Sequence, residues 1–223
     1  MRILLVGFGR MGALVEELAL EHGHEIAGRI TRETAASEWP AAEVAIDFST
    51  AEAVRRTVPR LAARGTSLVI GTTGWRAHEA ELRAAAAGVG VVASANFSIG
   101  VNLFEMLVAE AGRLMRSQPD YGAWIHELHH AAKKDAPSGT ALLLRDALAG
   151  AGFPRPIDIA STRAGSIPGT HVIGFDGPSD TIELRHTARD RRAFAKGALV
   201  AAEWIRGRRG WYSMRDVLSG GAT

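Results

Sequence analysis

Cysteine is missing from all 223 residues. Its absence excludes disulfides, thiolate metal centres and thiol nucleophiles together, so a secreted disulfide scaffold, a zinc ribbon and a cysteine hydrolase all fail to fit. Aromatic residues make up only 6% of the chain and do not interleave with basic ones. The densest basic run, Arg206-Gly207-Arg208-Arg209-Gly210, therefore lacks the stacking platform of a nucleic-acid surface and reads as a solvated face. A dominant charge sign is also missing, with 26 Lys and Arg against 24 Asp and Glu. Any anion bound here is expected to be small. No apolar run approaches the ~20 residues of a membrane span, and Gly7 and Gly9 interrupt the first run before it reaches the core length of a secretory leader. The chain reads as cytoplasmic, with neither a membrane nor a nucleic acid as partner. What remains is 47% hydrophobic and 22% charged residues in a chain long enough for one large domain or two small ones, each with its own core.

The first hundred residues repeat one unit: a short β-branched apolar run, a glycine-containing turn, then an Ala/Leu/Glu/Arg segment at helical spacing. Strands are expected at Ile3–Val6, Glu25–Ile30, Val44–Phe48, Leu68–Ile70 and Val89–Ala93. Helices are expected at Met11–Glu21, Ala51–Arg64 and His78–Ala87. That alternation predicts βαβ units and a doubly wound parallel sheet of Rossmann type. A long helix over Asn102–Met115 follows. The pattern then changes to strands at Trp124–His129, Ile157–Thr162, His171–Phe175 and Thr181–His186 with one helix, Ala141–Ala149, which predicts a smaller α+β layer with a mixed sheet. Helices at Gly197–Ile205 and Met214–Leu218 close the chain.

Gly7-Phe8-Gly9-Arg10-Met11-Gly12 follows the first strand and opens the first helix. In that setting the three glycines supply a tight turn, close backbone approach to a pyrophosphate, and close helix–strand packing, while the helix N-terminus faces the anion. Arg10 adds a cation. At the end of the second strand, where NAD enzymes place an acidic residue on the ribose, stand Thr31, Arg32 and Glu33. Thr31 carries no repelling charge and Arg32 suits a 2′-phosphate, so NADPH is favoured with NADH usable; a small shift of the strand end would bring Glu33 to the ribose instead. Gly71-Thr72-Thr73-Gly74 and Ser94-Ala95-Asn96-Phe97-Ser98 follow the fourth and fifth strands, at the carboxyl edge where open α/β sheets bind ligands.

The densest chemistry runs from Glu127 to Thr140. Two adjacent histidines, His129 and His130, are followed by Lys133 and Lys134 and then by Pro137-Ser138-Gly139-Thr140 before a helix. Ser138, Gly139 and Thr140 at a helix N-terminus offer N–H groups, two hydroxyls and a positive dipole end, a set that suits a carboxylate. A metal reading of His126, His129, His130, His171 and His186 lacks a helical H-E-x-x-H and places lysines beside the cation, so no metal is expected.

With these motifs in order the chain resembles the dihydrodipicolinate reductases, the 4-hydroxy-tetrahydrodipicolinate reductases of lysine and diaminopimelate synthesis. The resemblance spans the whole chain. It rests on Gly7–Gly12, Gly71–Gly74, Ala95–Gly100, Glu127–Ala141, Arg163-Ala164-Gly165, and the tail Phe194-Ala195-x-Gly197-Ala198, Trp204 and Met214-x-Asp216-Val217-Leu218. It implies a dinucleotide-binding domain at 1–98, a substrate-binding and tetramerisation domain at 99–195, and a return to the first domain at 196–223. It further implies His129 as acid/base, Lys133 as second donor, and His130, Ser138, Gly139 and Thr140 as substrate-carboxylate contacts. Cofactor contacts are implied at Gly7, Phe8, Gly9, Arg10, Met11, Gly12, Thr31, Arg32, Gly71, Thr72, Thr73, Ser94, Ala95, Asn96, Phe97, Arg191 and Phe194. The assembly it implies is a homotetramer acting on a small dicarboxylate. The glycine loop is one residue shorter than in many members, and Ala132 stands where many carry a third histidine. Two other readings share the plan: another two-domain dehydrogenase acting on an amino- or keto-dicarboxylate, and a nucleotide-binding redox sensor without turnover. The cluster of proton donors beside an anion site speaks against the sensor.

Overall fold

Apolar runs that are buried on both faces decide the first layer. The computed structural model describes residues 1–220, so the last three residues of the stretch 196–223 lie outside the described residues. In chain order the first elements are β1 (Arg2–Val6), α1 (Arg10–Glu21), β2 (Glu25–Ile30), β3 (Val44–Asp47), α2 (Ala51–Ala63), β4 (Ser67–Ile70), α3 (Glu79–Ala85) and β5 (Gly90–Ala93). There follow α4 (Ile99–Met115), β6 (Gly122–His129), α5 (Gly139–Gly150), β7 (Ile157–Arg163), β8 (Thr170–Asp176), β9 (Thr181–Thr187), α6 (Arg192–Ile205), β10 (Gly210–Tyr212) and α7 (Met214–Leu218). Contacts divide the chain into two compact units, Met1–Ile99 with the chain from Arg191 onward, and Gly100–Asp190.

The first unit is a six-stranded sheet of order β10-β5-β4-β3-β1-β2. Every pair in it is parallel. Alternate residues of each strand face opposite helical layers. Ile3, Leu5, Ile46 and Val92 pack on one side with Val15 and Leu18 of α1 and Ala198, Leu199 and Ala202 of α6. Leu4, Val6, Leu68 and Val91 pack on the other with Val54, Val58 and Leu61 of α2 and Leu82 of α3. Helix α6 begins at Arg192, five residues before the expected Gly197, because Arg192 is anchored to Glu17 and Glu21 of α1. Strand β10 was not expected. Its three residues pair with Gly90, Val91 and Val92 along the edge of β5.

The second unit is a four-stranded mixed sheet of order β7-β6-β8-β9. Strand β6 runs parallel to β7 and antiparallel to β8. Phe104 and Val108 of α4 and Leu144 and Leu148 of α5 cover Ile125, Ile173 and Phe175 on one face of the sheet. Ser138 starts α5 as its N-cap, its hydroxyl accepting from the Ala141 N–H at 3.2 Å, a contact worth about 1 kcal/mol. No helix among the described residues is long and apolar enough to cross a membrane.

Candidate active site

Two clusters carry chemistry, one in each unit. In the first, β1 runs into Gly7 at φ +85°, a left-handed conformation that favours glycine. A Cβ at Gly12 would lie 2.4 Å from the Gly7 carbonyl oxygen, so the loop closes only with glycine there. Helix α1 opens after Gly9, its N-cap, with no side-chain cap and no acidic residue in its first turn. Its leading N–H groups and positive dipole end are thus left for an external anion. Arg10 is exposed and, among the described residues, in no ion pair. A cleft of about 360 Å³ beside this turn is lined by Gly9, Arg10, Phe48, Thr73 and Arg191. These features fit the diphosphate of a dinucleotide.

The neighbouring loops are organised from below by Asp47, which ends β3 and is buried. Its carboxylate accepts from Ser49 Oγ at 2.6 Å, Thr72 Oγ1 at 2.8 Å and the Ser49 N–H at 2.9 Å. Burial pushes the Asp47 carboxyl upward, against the pull of those hydrogen bonds. The Thr72 hydroxyl is therefore held inward on Asp47, while Thr73 is exposed; both residues line the cleft. The Phe48 ring packs against Gly71, where a Cβ would meet it at 2.1 Å. Ser94 Oγ donates to the Asn96 carbonyl at 2.7 Å, and the Asn96 side chain accepts from the Ser98 N–H at 2.9 Å. Ala95 is exposed, whereas the Phe97 ring is a core side chain, edge-on to Phe48. A second hollow of about 430 Å³ shares Thr72 and Thr73 with that cleft, adds Ser94 and Ala95, and is walled by Trp75 and Trp211.

At the end of β2, Thr31 shapes a turn, its hydroxyl 3.1 Å from that of Thr34 and accepting from the Glu33 N–H at 3.3 Å. Arg32 and Glu33 are both exposed. Arg29, three residues earlier on β2, stacks at 4.3 Å over the ring of Phe8, and its Nη2 donates to both Glu16 oxygens at 2.7 and 2.8 Å. Sequence reasoning missed that second arginine, which only the side-by-side pairing of β1 and β2 brings to the glycine loop. Arg191 lines the cleft, and Phe194 sits half-buried in the first turn of α6.

In the second unit, β6 ends on His129, whose Nδ1 hydrogen-bonds Glu127 two residues earlier on the same face. Among the described residues no hydrogen bond is formed to His129 Nε2, and a Cβ on Gly169 would lie 3.2 Å from it. Glu127 is fully buried and takes the fork of Arg163, at 2.9 and 2.6 Å. Burial raises the Glu127 carboxyl, but Arg163, Ser161 and His129 outweigh it and hold it at about 2. Burial lowers the His129 imidazole, opposed by Glu127 and helped by the positive charges of Lys133 and Arg163. His171 lies edge-on to His129 with ring centroids 5.2 Å apart, and burial together with the His129 charge brings it down to about 4.

Lys133 Nζ donates to both Asp135 oxygens, at 2.7 and 2.8 Å. His130 lies beyond the strand end, half-buried, its carbonyl accepting from the Lys133 N–H at 3.1 Å. The Ser138 hydroxyl is turned inward, 3.1 Å from His171 Nε2, and Thr140 stands half-buried in the first turn of α5. Glu127, His129 and His171 together could offer a cation three atoms within 4.8 Å of one another. The guanidinium already seated on Glu127 makes that set a poor fit for a metal, and the arrangement is a hydrogen-bonded cluster of titratable groups. Arg163 and His171 were visible in the sequence only as part of a motif and as an isolated histidine.

Residues 1–97 match the family model described as dihydrodipicolinate reductase, N-terminus, and residues 100–218 match the one described as dihydrodipicolinate reductase, C-terminus. The 4-hydroxy-tetrahydrodipicolinate reductase of Stenotrophomonas maltophilia is 41% identical over 238 residues, covering 98% of each chain. That of Christiangramia forsetii is 35% identical over 234 residues, also covering 98% of each. Among solved structures, the dipicolinate-bound dihydrodipicolinate reductase of Paenisporosarcina sp. TG-14 superposes with a TM-score of 0.80 at 22% identity, covering 96% of this chain and 97% of that one. It shares the fold.

Proposed function

This chain belongs to the dihydrodipicolinate reductase family, NAD(P)H-dependent oxidoreductases of the diaminopimelate and lysine pathway, and from that premise we propose how its residues divide the work. His129 donates the proton. The observation that carries this assignment is a buried imidazole with one nitrogen bound to a carboxylate and the other left open, in the same unit as a lysine and a helix N-terminus.

A reduced nicotinamide, when bound, supplies hydride to the conjugated ring of the dicarboxylate substrate. Gly7, Gly9, Arg10, Met11 and Gly12 hold its diphosphate at the open start of α1; Thr31 and Arg32 meet the ribose; Thr73, Ala95 and Arg191 border the nicotinamide end. Arg32, exposed and, among the described residues, in no ion pair, favours NADPH while leaving NADH usable. The substrate carboxylates meet His130 and the Gly139–Thr140 end of α5, where N–H groups and the helix dipole favour negative charge. Ser138 supports that end as its cap. Lys133 exchanges Asp135 for the substrate and stabilises charge developing on it. His129 then supplies the proton that completes the reduction, an effect worth roughly 10²- to 10⁴-fold in rate. The enzyme acts as a cytoplasmic homotetramer; supporting that assembly, the face of the mixed sheet away from α4 and α5 carries Trp124, half-buried over Gly174.

His129→Gln tests the central assignment. The expected result is a kcat lowered by about 10²-fold or more with NADPH affinity unchanged. A variant keeping more than about a third of wild-type kcat shows that another group gives the proton.

A further inference from the structure

Residues 125, 127 and 129 of β6 share one face of the sheet, and Ile125 belongs to the core. A carboxylate in that row is costly unless fully partnered. Glu127 is partnered on both oxygens: Oε1 takes Arg163 Nη2 at 2.6 Å and the Ser138 N–H at 3.3 Å, while Oε2 takes Arg163 Nη1 at 2.9 Å and His129 Nδ1. The parallel register sets Arg163 of β7 opposite His129 itself. A buried ion pair is a weak device for stability, since apolar side chains of similar volume do as well or better. A group this expensive at the foot of a proton-handling imidazole has a task there.

We infer that Glu127, clamped by Arg163, is a positioning residue that keeps the proton of His129 on Nδ1 and leaves Nε2 as the atom that gains and loses it. The inference rests on the reading of His129 as proton donor. An anion facing Nδ1 holds a proton there in both charge states of the ring. The opposite edge of the ring faces Gly169, whose φ of +132° disfavours a side chain and where a Cβ would crowd Nε2 at 3.2 Å. Arg163 has a second task. Its Nη2 also donates to the Asp135 carbonyl at 2.5 Å, and the neighbouring Ala164 N–H donates to the His129 carbonyl at 3.0 Å. One guanidinium thus sets both the carboxylate that aims His129 and the loop that carries Lys133.

The charged and titratable groups around the imidazole are Glu127 on β6, Lys133 and Asp135 on the following loop, Arg163 on β7, and His171 on β8 with His186 beyond it on β9. Glu127 is the one anion among them in direct contact with His129. Removing it lowers the His129 pKa, so the limb of kcat/KM governed by His129 moves to lower pH.

The first measurement needs no variant. ¹⁵N NMR of the wild-type enzyme, with the ring nitrogens of His129 assigned by comparison with His129→Gln, should show a protonated Nδ1 and an unprotonated Nε2 in the neutral form. The reverse tautomer overturns the inference. Glu127→Gln, nearly isosteric, should mix or reverse the tautomers, lower kcat by about 10²-fold, change KM for the substrate by less than about threefold, and shift the pH profile downward. Arg163→Lys keeps the charge without the fork and should lose less, in the same sense. A Glu127→Gln enzyme with the wild-type tautomer and more than about a third of wild-type kcat refutes the positioning role. Full activity in His129→Gln refutes instead the reading of His129 as donor, and the tautomer measurement still decides what Glu127 does.

Discussion

Asp47 offers a sharp test of how the nucleotide cleft is built. It is 1% exposed and, among the described residues, pairs with no cation; Ser49 and Thr72 supply its close hydrogen bonds, and Thr57 a longer one at 3.4 Å. Removing the side chain in Asp47→Ala takes the carboxylate acceptor from the Ser49 and Thr72 hydroxyls, leaving Thr72 only the residue-47 backbone carbonyl at 3.5 Å, although the Ser49 N–H keeps its 2.7 Å bond to Thr72 Oγ1. Bonds to a charged acceptor are worth ~1.5–3 kcal/mol each, and relief of the buried charge offsets part of that, so a net loss of about 2–4 kcal/mol is expected. At ~2–4 °C per kcal/mol for a chain of this size, the melting temperature falls by about 4–16 °C. Asp47→Asn behaves otherwise. Its carbonyl accepts from Ser49 and Thr72, and its amide donates to Thr57 Oγ1, whose own proton goes to the Ala53 carbonyl at 2.9 Å. Because burial raises the Asp47 carboxyl, the native state binds that proton more tightly than the unfolded chain does. The wild-type protein therefore loses stability as pH climbs from the unfolded value near 4 through the raised one, while the amide variant does not. Thermal melts of all three proteins between pH 4.5 and 8, with NADPH titrations alongside, should show the Asn variant gaining on wild type as pH rises and only the Ala variant weakening cofactor binding. An Asn variant as unstable as the Ala variant at pH 7 would show that the cleft needs a charged Asp47 and refute this reasoning.

Arg32→Ala should remove most of a five- to thirtyfold preference for NADPH, the worth of about 1–2 kcal/mol from one partly exposed arginine–phosphate contact, by raising the NADPH KM alone. Measuring kcat/KM with both cofactors checks it, and an intact preference in the variant would assign the ribose phosphate to Arg29 or to backbone. Gly12→Ala sets a methyl against the Gly7 carbonyl, so the turn must open; calorimetry should show lost NADPH binding together with a lower melting temperature, whereas wild-type binding would mean that the loop yields at little cost.

Much of the first unit is legible in the sequence because a parallel strand covered on both faces reads as an uninterrupted apolar run, as Ile3-Leu4-Leu5-Val6 does. Its glycine loop is legible for a similar reason: each glycine answers a local demand of the backbone. The parts that escaped are held by distant partners. Three residues, Gly210-Trp211-Tyr212, flanked by arginines and a serine, acquire strand form only from the edge of β5. Glu127 falls on the same face of β6 as the core residue Ile125, and its buried carboxylate is explained only when β7 lays Arg163 beside it. Ser138 was readable as a helix start, yet its bond to His171 spans 33 residues and two elements. Thr72 appeared as a ligand-facing hydroxyl, and its inward turn follows from Asp47, 25 residues away.

Helix α6 and strand β10 come from the end of the chain and finish a layer begun at its start. During synthesis the five leading strands leave the ribosome with one face, that of Ile3, Leu5, Ile46 and Val92, covered only by Val15 and Leu18 of α1 until Ala198, Leu199 and Ala202 follow about a hundred residues later. At ~5–20 residues per second that interval lasts roughly 5–20 s. The intervening unit has all its core residues between Phe104 and Leu184 and closes from contiguous chain. The middle of the protein can thus close its core before the first layer is finished, and a message truncated anywhere before α6 yields a nucleotide layer with one face only partly covered, a natural substrate for chaperones and proteases.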